Sequence, residues 1–319
     1  MNRIKKQVVK VIFFLVILVG LLFLTSYLFV PKNNLKQFGM TQISANGILG
    51  EKNQSIDVVV IGDSESFTSI SPMQLWEEHG FTTYVCGTGA QRIYESYLFL
   101  RQALKTQTPK LVILETHTIY SKITAMKSFI SVGSSLFPVF KYHNRWKSLS
   151  VNDFGGKVRY TWTDDLKGFN FNLTVSPSLK KDHMVYQEEA KKIADLNLYY
   201  LNKIVELCQK NEIQFLLVST PSTLNWNYKK HNGIQAFADA NQLEYIDLNL
   251  MSEQVPIDWE QDTRDRGDHL NYYGAQKVTH FLGNYLKEKG IFEDHREDRR
   301  YAKWNEALKR YQEKVQTGK

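Results

Sequence analysis

From Val11 to Val30 the chain runs for twenty residues without a single charge, and no other feature limits its folding as strongly. At the helical rise such a run spans about 30 Å, the thickness of a bilayer's hydrocarbon core, so it predicts a transmembrane helix. Arg3, Lys5, Lys6 and Lys10 precede it. That asymmetry places residues 1–10 in the cytoplasm as a basic segment and the remainder outside the cell, a single-pass topology in the cell membrane. A cleaved signal peptide usually has a shorter apolar core that ends in small residues. The stretch Leu24-Thr-Ser-Tyr-Leu-Phe-Val-Pro-Lys32 offers no such site, so residues 11–30 read as an uncleaved anchor in the lipid bilayer. Residues 31–54, with Asn, Lys and Gly and no evident chemistry, read as a polar stalk.

The formal charge is +7, but four positive charges and no acid precede residue 31, which leaves only +3 outside the membrane. A surface that is mildly basic suits anionic envelope polymers and makes no case for nucleic acid. About 290 residues remain after the anchor, enough to bury one substantial core without disulfides. Cys86 and Cys208 lie far apart without metal-type spacing. The compartment permits a disulfide between them; two buried free thiols are the preferred reading. No Gly-rich phosphate loop or zinc motif occurs, and no cofactor or metal is expected.

Beyond residue 54 short apolar runs alternate with helix-length segments. Ile56–Ile61 is rich in β-branched residues and too short for a packed helix, so it reads as a buried strand. Further strands are expected at Thr82–Cys86, Lys110–Glu115, Ile213–Ser219 and Tyr245–Leu248. Between them, Ser71-Pro72 through Gly80 has the cap, first-turn proline and terminal glycine of a short helix. Helices are also expected at Tyr94–Thr106, Asp182–Gln209, Gly233–Gln242 and Gly274–Lys289. This order predicts, for residues 55–292, a three-layer α/β/α sandwich on a mostly parallel sheet. Residues 119–182 interrupt the alternation with an aromatic and basic insertion that includes Tyr142, His143, Arg145 and Trp146. At the carboxyl side of a parallel sheet such an insertion would form a lid or an acceptor-binding wall, or else a small satellite core. Tyr301, Trp304, Leu308 and Tyr311 recur at steps of three and four, so residues 293–319 read as an amphipathic helix that docks on the domain or a partner.

Gly62 allows a turn that places Ser64 at the carboxyl end of the first strand, where nucleophiles gather in open α/β sheets. A serine needs a histidine to take its proton and a carboxylate to fix the tautomer of that histidine. His269 has Asp262, Asp265 and Asp268 beside it. Asp265 is preferred over Asp268, because a residue directly before His269 tends to point away from it in an extended loop. Small residues in Cys86-Gly-Thr-Gly-Ala-Gln91 let backbone N–H groups come close to a substrate oxygen, as an oxyanion hole requires. Gly89 or Gly87 could supply such a donor together with Ser64. Asp63, Gln91, His117 and Asn271 are candidates for substrate contacts, as are Tyr142, His143, Arg145 and Trp146.

Gly62-Asp-Ser64 after the first strand and Asp268-His269 in a late loop resemble the SGNH/GDSL hydrolase superfamily. The resemblance implies an acyl-enzyme on Ser64 and an oxyanion donor from a glycine after the second strand. Members usually offer an asparagine after the third strand; here Glu115-Thr116-His117-Thr118 stands there, with Thr116, His117 or Thr118 as the replacement donor. They also place the aspartate three residues before the histidine, a position Arg266 holds in this chain. Tyr142-His-Asn-Arg145-Trp146 is similar to a pattern in membrane-anchored, envelope-facing members. For those, the resemblance implies acylation chemistry, acetyl above all, on envelope polysaccharide or teichoic acid, beside a membrane-bound acyltransferase partner. Two classes of function follow: a serine esterase or O-acyltransferase, or an accessory subunit of an envelope-polymer modification complex that keeps the fold for binding. An ordinary α/β-hydrolase fits poorly, since Gly62-Asp-Ser-Glu-Ser66 lacks the second glycine of a nucleophile elbow.

Overall fold

A computed structural model of the chain describes residues 3–180 and 182–318; Met1, Asn2, Lys181 and Lys319, each within a segment assigned above, lie outside the described residues. In chain order the helices and strands are α1 (Arg3–Phe29), α2 (Ile43–Asn46), β1 (Val58–Gly62), α3 (Ser64–Ser69), α4 (Pro72–His79), β2 (Thr83–Gly87), α5 (Ile93–Ala103), β3 (Leu111–Glu115) and α6 (Ala125–Leu136). There follow α7 (Val139–Tyr142), α8 (Val151–Gly155), α9 (Asp195–Lys210), β4 (Gln214–Ser219), α10 (Tyr228–Asn241), β5 (Glu244–Asp247), α11 (Tyr272–Glu288) and α12 (Ala302–Thr317). The chain divides into two compact units. The first comprises residues 1–41 and 124–162, and the second residues 42–123 and 163–319.

The second unit is the α/β sandwich. Its five strands are all parallel, in the order β2-β1-β3-β4-β5. All of β1 and β3 is buried, as expected of strands covered on both faces and built from Val, Ile and Leu. On one face Val58, Val60, Val85, Leu111, Ile113, Leu216 and Val218 pack against Leu75, Val278, Leu282 and Leu286 from α4 and α11. Helices α5 and α9 pack together and cover the other face. Ser71 caps α4, its hydroxyl accepting from the Gln74 N–H, and Gly80 ends the helix at φ +76°. The strand order reverses between β1 and β3, so the crevice at their carboxyl ends is the topological switch point.

Helix α10 begins at Tyr228, five residues before the expected Gly233, and three further boundaries shift. Residues 182–194 are irregular, and α9 starts only at Asp195; this stretch carries Glu188, Glu189, Lys191 and Lys192 and no apolar stripe before Ile193. Residues 163–180 belong to the α/β unit. The Val85 N–H donates to the Lys167 carbonyl, the Ser176 N–H to the Thr263 carbonyl, and buried Lys167 pairs with Glu51 at 2.8 Å. Residues 42–54 are likewise folded into this unit, with Ala45, Asn46 and Ile48 buried and the Tyr84 hydroxyl donating to the Ser44 carbonyl. The amphipathic α12 docks on α4, where Trp304 packs on Trp76 with ring centroids 5.3 Å apart. Cys86 and Cys208 are buried free thiols.

In the first unit α7 and α8 pack on α1, and α6 packs on α7. Phe137 meets Phe23 with ring centroids 5.2 Å apart, and the Arg145 guanidinium donates to the Phe29 carbonyl at 2.6 Å. Residues 31–41 fold back here: Pro31, Lys32 and Asn34 are buried, and the Arg159 N–H donates to the Lys32 carbonyl. The segment expected to be a stalk is therefore folded along its whole length.

Candidate active site

The turn that carries Ser64 follows from close packing at the ends of β1 and β2. A Cβ on Gly62 would lie 2.7 Å from the Glu115 Cβ and 2.9 Å from the Ser66 Cβ, and one on Gly87 only 2.4 Å from the Ser66 hydroxyl. With both positions bare, Asp63 can end β1 and cap α3, its carboxylate accepting from the Glu65 N–H at 3.1 Å. Ser64 is then the first residue of α3 and half-exposed, between two buried acids. Gly87 thus has a packing reason to be glycine, whereas a Cβ on exposed Gly89 would meet nothing within 4 Å.

His269 is presented by a hairpin-like loop. Thr263 and Leu270 form an antiparallel bridge, and the Asn271 side-chain amide donates to the carbonyls of Thr174, Gln261 and Thr263 while its oxygen caps α11. At the tip, Arg266 (φ +66°) and Gly267 (φ +92°) turn the chain so that Asp265 folds back on His269. Gly267 is obligatory there, since besides its φ a Cβ would lie 2.0 Å from the Thr223 hydroxyl. The Asp265 carboxylate accepts from both the backbone N–H of His269 at 2.7 Å and its Nδ1 at 2.6 Å. Asp268 lies farther from Nδ1, at 3.5 Å. Two bonds to one carboxylate fix the ring and its tautomer, leaving Nε2 without the proton; that atom is buried and has no hydrogen-bond partner.

Asn225, in the loop after β4, joins the two halves. Its amide donates to Glu65 Oε1 at 2.7 Å and also to the Asp268 carboxylate. The Ser222 hydroxyl donates to the Asp268 carbonyl at 2.7 Å, and the Thr223 N–H to the Gly267 carbonyl at 2.9 Å. The loop that carries His269 is thereby tied to the residue that follows Ser64. Buried Glu65, whose Oε2 has no partner, has its carboxyl held well above the usual range by burial first, then by Asp63 and Asp268. Burial does the same to Glu115, with Asp63 and Glu65 adding to it. Facing these acids, Lys230 lies 5.8 Å from the Tyr120 ring and 5.7 Å from that of Trp226, its pKa pushed down to about 8 by burial and by Lys191. Glu65, Asp268 and His269 hold ligand atoms within 4.8 Å of one another, room for a divalent cation. The burial that disfavours the Glu65 carboxylate also disfavours it as a ligand, however.

Other expected site residues turn out to hold the scaffold. Asp63 is buried between the Glu65 N–H and Nδ1 of His117, at 2.7 Å from the latter, and the His117 N–H donates to the Glu115 carboxylate. Gln91 bonds Thr88, Ser96 and the Cys86 carbonyl, which leaves its amide no reach toward a substrate. Thr116 is buried with its hydroxyl 2.6 Å from that of Ser219, so its side chain is not a free oxyanion donor. Asn271 is a cap and loop brace. Tyr142, His143, Arg145 and Trp146 belong to the first unit. There the Tyr142 hydroxyl meets the Met40 sulfur, His143 Nδ1 lies 3.0 Å from the Phe140 carbonyl, and buried Arg145 pairs with Asp153 at 2.7 Å. The Arg145 charge is therefore neutralised internally and is no anion site, while Trp146 is exposed. A cavity of about 330 Å³, lined by His183, Met184, Pro221, Leu248 and Trp259 among others, opens past the ends of β4 and β5 and contains neither Ser64 nor His269.

No protein-family model and no curated protein matches the chain. Among solved structures it is similar to a GDSL-like lipase from Bacteroides thetaiotaomicron, with 13% identity, a TM-score of 0.37, and 73% of this chain and 88% of that one covered. It is also similar to a psychrotrophic esterase from Pseudoalteromonas sp. (11% identity, TM-score 0.41, 74% and 100% covered). A family 3 carbohydrate esterase from Clostridium thermocellum gives 12% identity and a TM-score of 0.38, with 73% and 96% covered.

Proposed function

We propose that the chain is a membrane-anchored serine esterase or O-acyltransferase of the SGNH/GDSL type, its α/β unit outside the cell. The observation that carries this reading is His269: its Nδ1 is held by Asp265 at 2.6 Å, its Nε2 is buried without a partner, and its loop is tied through Asn225 to the first turn that bears Ser64. In the first half-reaction Ser64 Oγ attacks an acyl carbonyl and its proton passes to His269 Nε2, while Asp265 stabilises the imidazolium. Backbone N–H groups of Ser64 and Gly89 hold the oxyanion. Collapse breaks the ester C–O bond, the leaving alcohol takes the proton from His269, and the acyl group stays on Ser64. In the second half-reaction His269 removes a proton from the acceptor, which attacks the acyl carbonyl; as the acyl–Oγ bond breaks, His269 returns that proton to Ser64 Oγ. Water as acceptor gives hydrolysis; a sugar hydroxyl gives transfer. An extracytoplasmic site directs the reading to acetyl esters of envelope polysaccharide or teichoic acid, with a membrane-bound acyltransferase as acyl source in the transfer case.

The test is covalent labelling of the detergent-solubilised full chain by a fluorophosphonate, with the adduct mapped by mass spectrometry. An adduct on Ser64 that disappears in Ser64→Ala and His269→Ala is the expected result. A folded wild type that takes up no label would overturn the enzymatic reading in favour of the accessory, binding-only one.

A further inference from the structure

The first unit is inside out. Its buried residues include Ser26, Lys32, Asn34, Ser128, Arg145 and Asp153, against Pro31 and Met40 as the apolar ones among the described residues. Helix α6 buries Ser128 and exposes Met126, Phe129, Ile130 and Leu136; α8 buries Asp153 and exposes Val151 and Phe154. Phe129 is 77% and Val151 88% exposed. The spacings 126/129/130 and 151/154 put the apolar side chains on one helical face each, and each face is turned away from the protein. A helix in water does the opposite, and exposed apolar groups on this scale mark a surface that something covers.

Lipid is the occupant that the surrounding residues favour. The apolar faces belong to elements gathered at the last turns of α1, with Phe137 at the end of α6 on Phe23 and α8 against α1 itself, and α1 exposes Phe23 and Leu24 there as well. Residues 124–162 hold six basic residues and one acid, and the acid, Asp153, is buried on Arg145. What remains exposed is Lys127, Lys141, Lys147, Lys157 and Arg159 among aromatic and aliphatic side chains. Cations interleaved with Trp and Phe on short amphipathic helices are the pattern of segments that lie in the headgroup region of an anionic membrane.

We propose that residues 124–162 form a membrane-embedded collar at the point where α1 leaves the bilayer. The apolar faces of α6 and α8 lie among the acyl chains, and the lysines lie at anionic headgroups. This rests on the reading of α1 as an anchor.

The test uses the full chain in phosphatidylcholine and phosphatidylglycerol vesicles, with one cysteine introduced at a time as Leu18→Cys, Phe129→Cys, Val151→Cys or Lys303→Cys. Each carries a nitroxide, and the protein without an added cysteine gives the background from buried Cys86 and Cys208. Collision rates with oxygen and with a water-soluble nickel chelate are compared. Positions 18, 129 and 151 should favour oxygen, with access to the chelate at least tenfold below that at exposed position 303. Positions 129 and 151 as open to the chelate as 303, with 18 still oxygen-rich, would remove the collar and leave the anchor. Low access to both reagents at 129 and 151 would mean that protein rather than lipid covers the faces, which also overturns the proposal. An aqueous position 18 would remove the anchor itself.

Discussion

In the α/β unit the buried residues are those of its strands: Val58 to Ile61 and Leu111 to Leu114 have essentially no exposed surface. The unit built on α1 instead buries an Arg145–Asp153 pair with Ser26, Lys32, Asn34 and Ser128, and turns Phe129, Val151 and Phe154 outward. The charges part in the same way. Residues 1–41 and 124–162 contain twelve basic residues and one acid, so the first unit carries +11 and the remainder of the chain −4. The basic character inferred from net charge is therefore a property of the first unit. In the α/β unit apolar burial is the main support, and polar groups cluster at the sheet edge, where each can be set for chemistry. In the other unit polar contacts hold the interior together.

If that division is right, the most severe loss of chemistry comes from a change at the sheet edge that leaves the core alone. Asp265→Asn keeps the shape of the side chain but removes the carboxylate that fixes the His269 tautomer. Ser64 labelling by the fluorophosphonate should slow by about 10³–10⁴-fold, with the melting temperature nearly unchanged. Asp268→Asn, at the more distant carboxylate, should slow it by less than about tenfold. The reverse order would make Asp268 the triad acid.

The polar interior of the first unit is tested by Asp153→Ala, which leaves the Arg145 charge buried without its partner. Removing one member of a buried pair costs about 3 kcal/mol or more. The variant should therefore become sensitive to proteolysis within residues 124–162 while Ser64 still labels at the wild-type rate. Arg145→Met added to it should recover part of the resistance. An Asp153→Ala protein as resistant as wild type would mean that something other than this pair holds the unit.

The sandwich was legible in the sequence because its signals are local. Each strand is an apolar run with clear ends, read to within two residues, and α4 carries both its cap and its terminal glycine in plain view. The placement of Ser64 at the end of β1 and the pairing of Asp265 with His269 were legible for the same reason, since both follow from residue types at short spacing. Glu65 and Asn225 were not. An acid in the first turn of a helix ordinarily faces solvent and favours the dipole, and only tertiary packing buries Glu65 beside Asp63 and Asp268, which with burial raise its pKa. Arg145 misled for a related reason: next to aromatic residues it looks like an anion site, and no rule of spacing says that Asp153, eight residues on, takes its charge. The inverted faces of α6 and α8 have the correct helical period, but period alone does not say which side turns outward.

The smallest effect separates the two kinds of buried charge. Arg145 and Asp153 are buried as a pair, whereas Glu65 is buried among other acids, with its carboxyl raised well above 4.5 by desolvation and by Asp63 and Asp268. A raised folded-state pKa means that the folded protein holds a proton the unfolded chain releases. Its contribution to stability is complete below the unfolded value and is lost as pH rises toward the folded one. Glu65→Gln keeps the acceptor for Asn225 and has no proton to lose. Its melting temperature should match wild type near pH 4.5 and exceed it by a margin that grows steadily as pH rises to 8.5. Glu115 remains in both proteins, so each keeps some decline with pH, and only the difference between them reports Glu65. A difference that stays flat from pH 4.5 to 8.5 would show that Glu65 ionises freely and that the sheet edge is wetter than its burial implies.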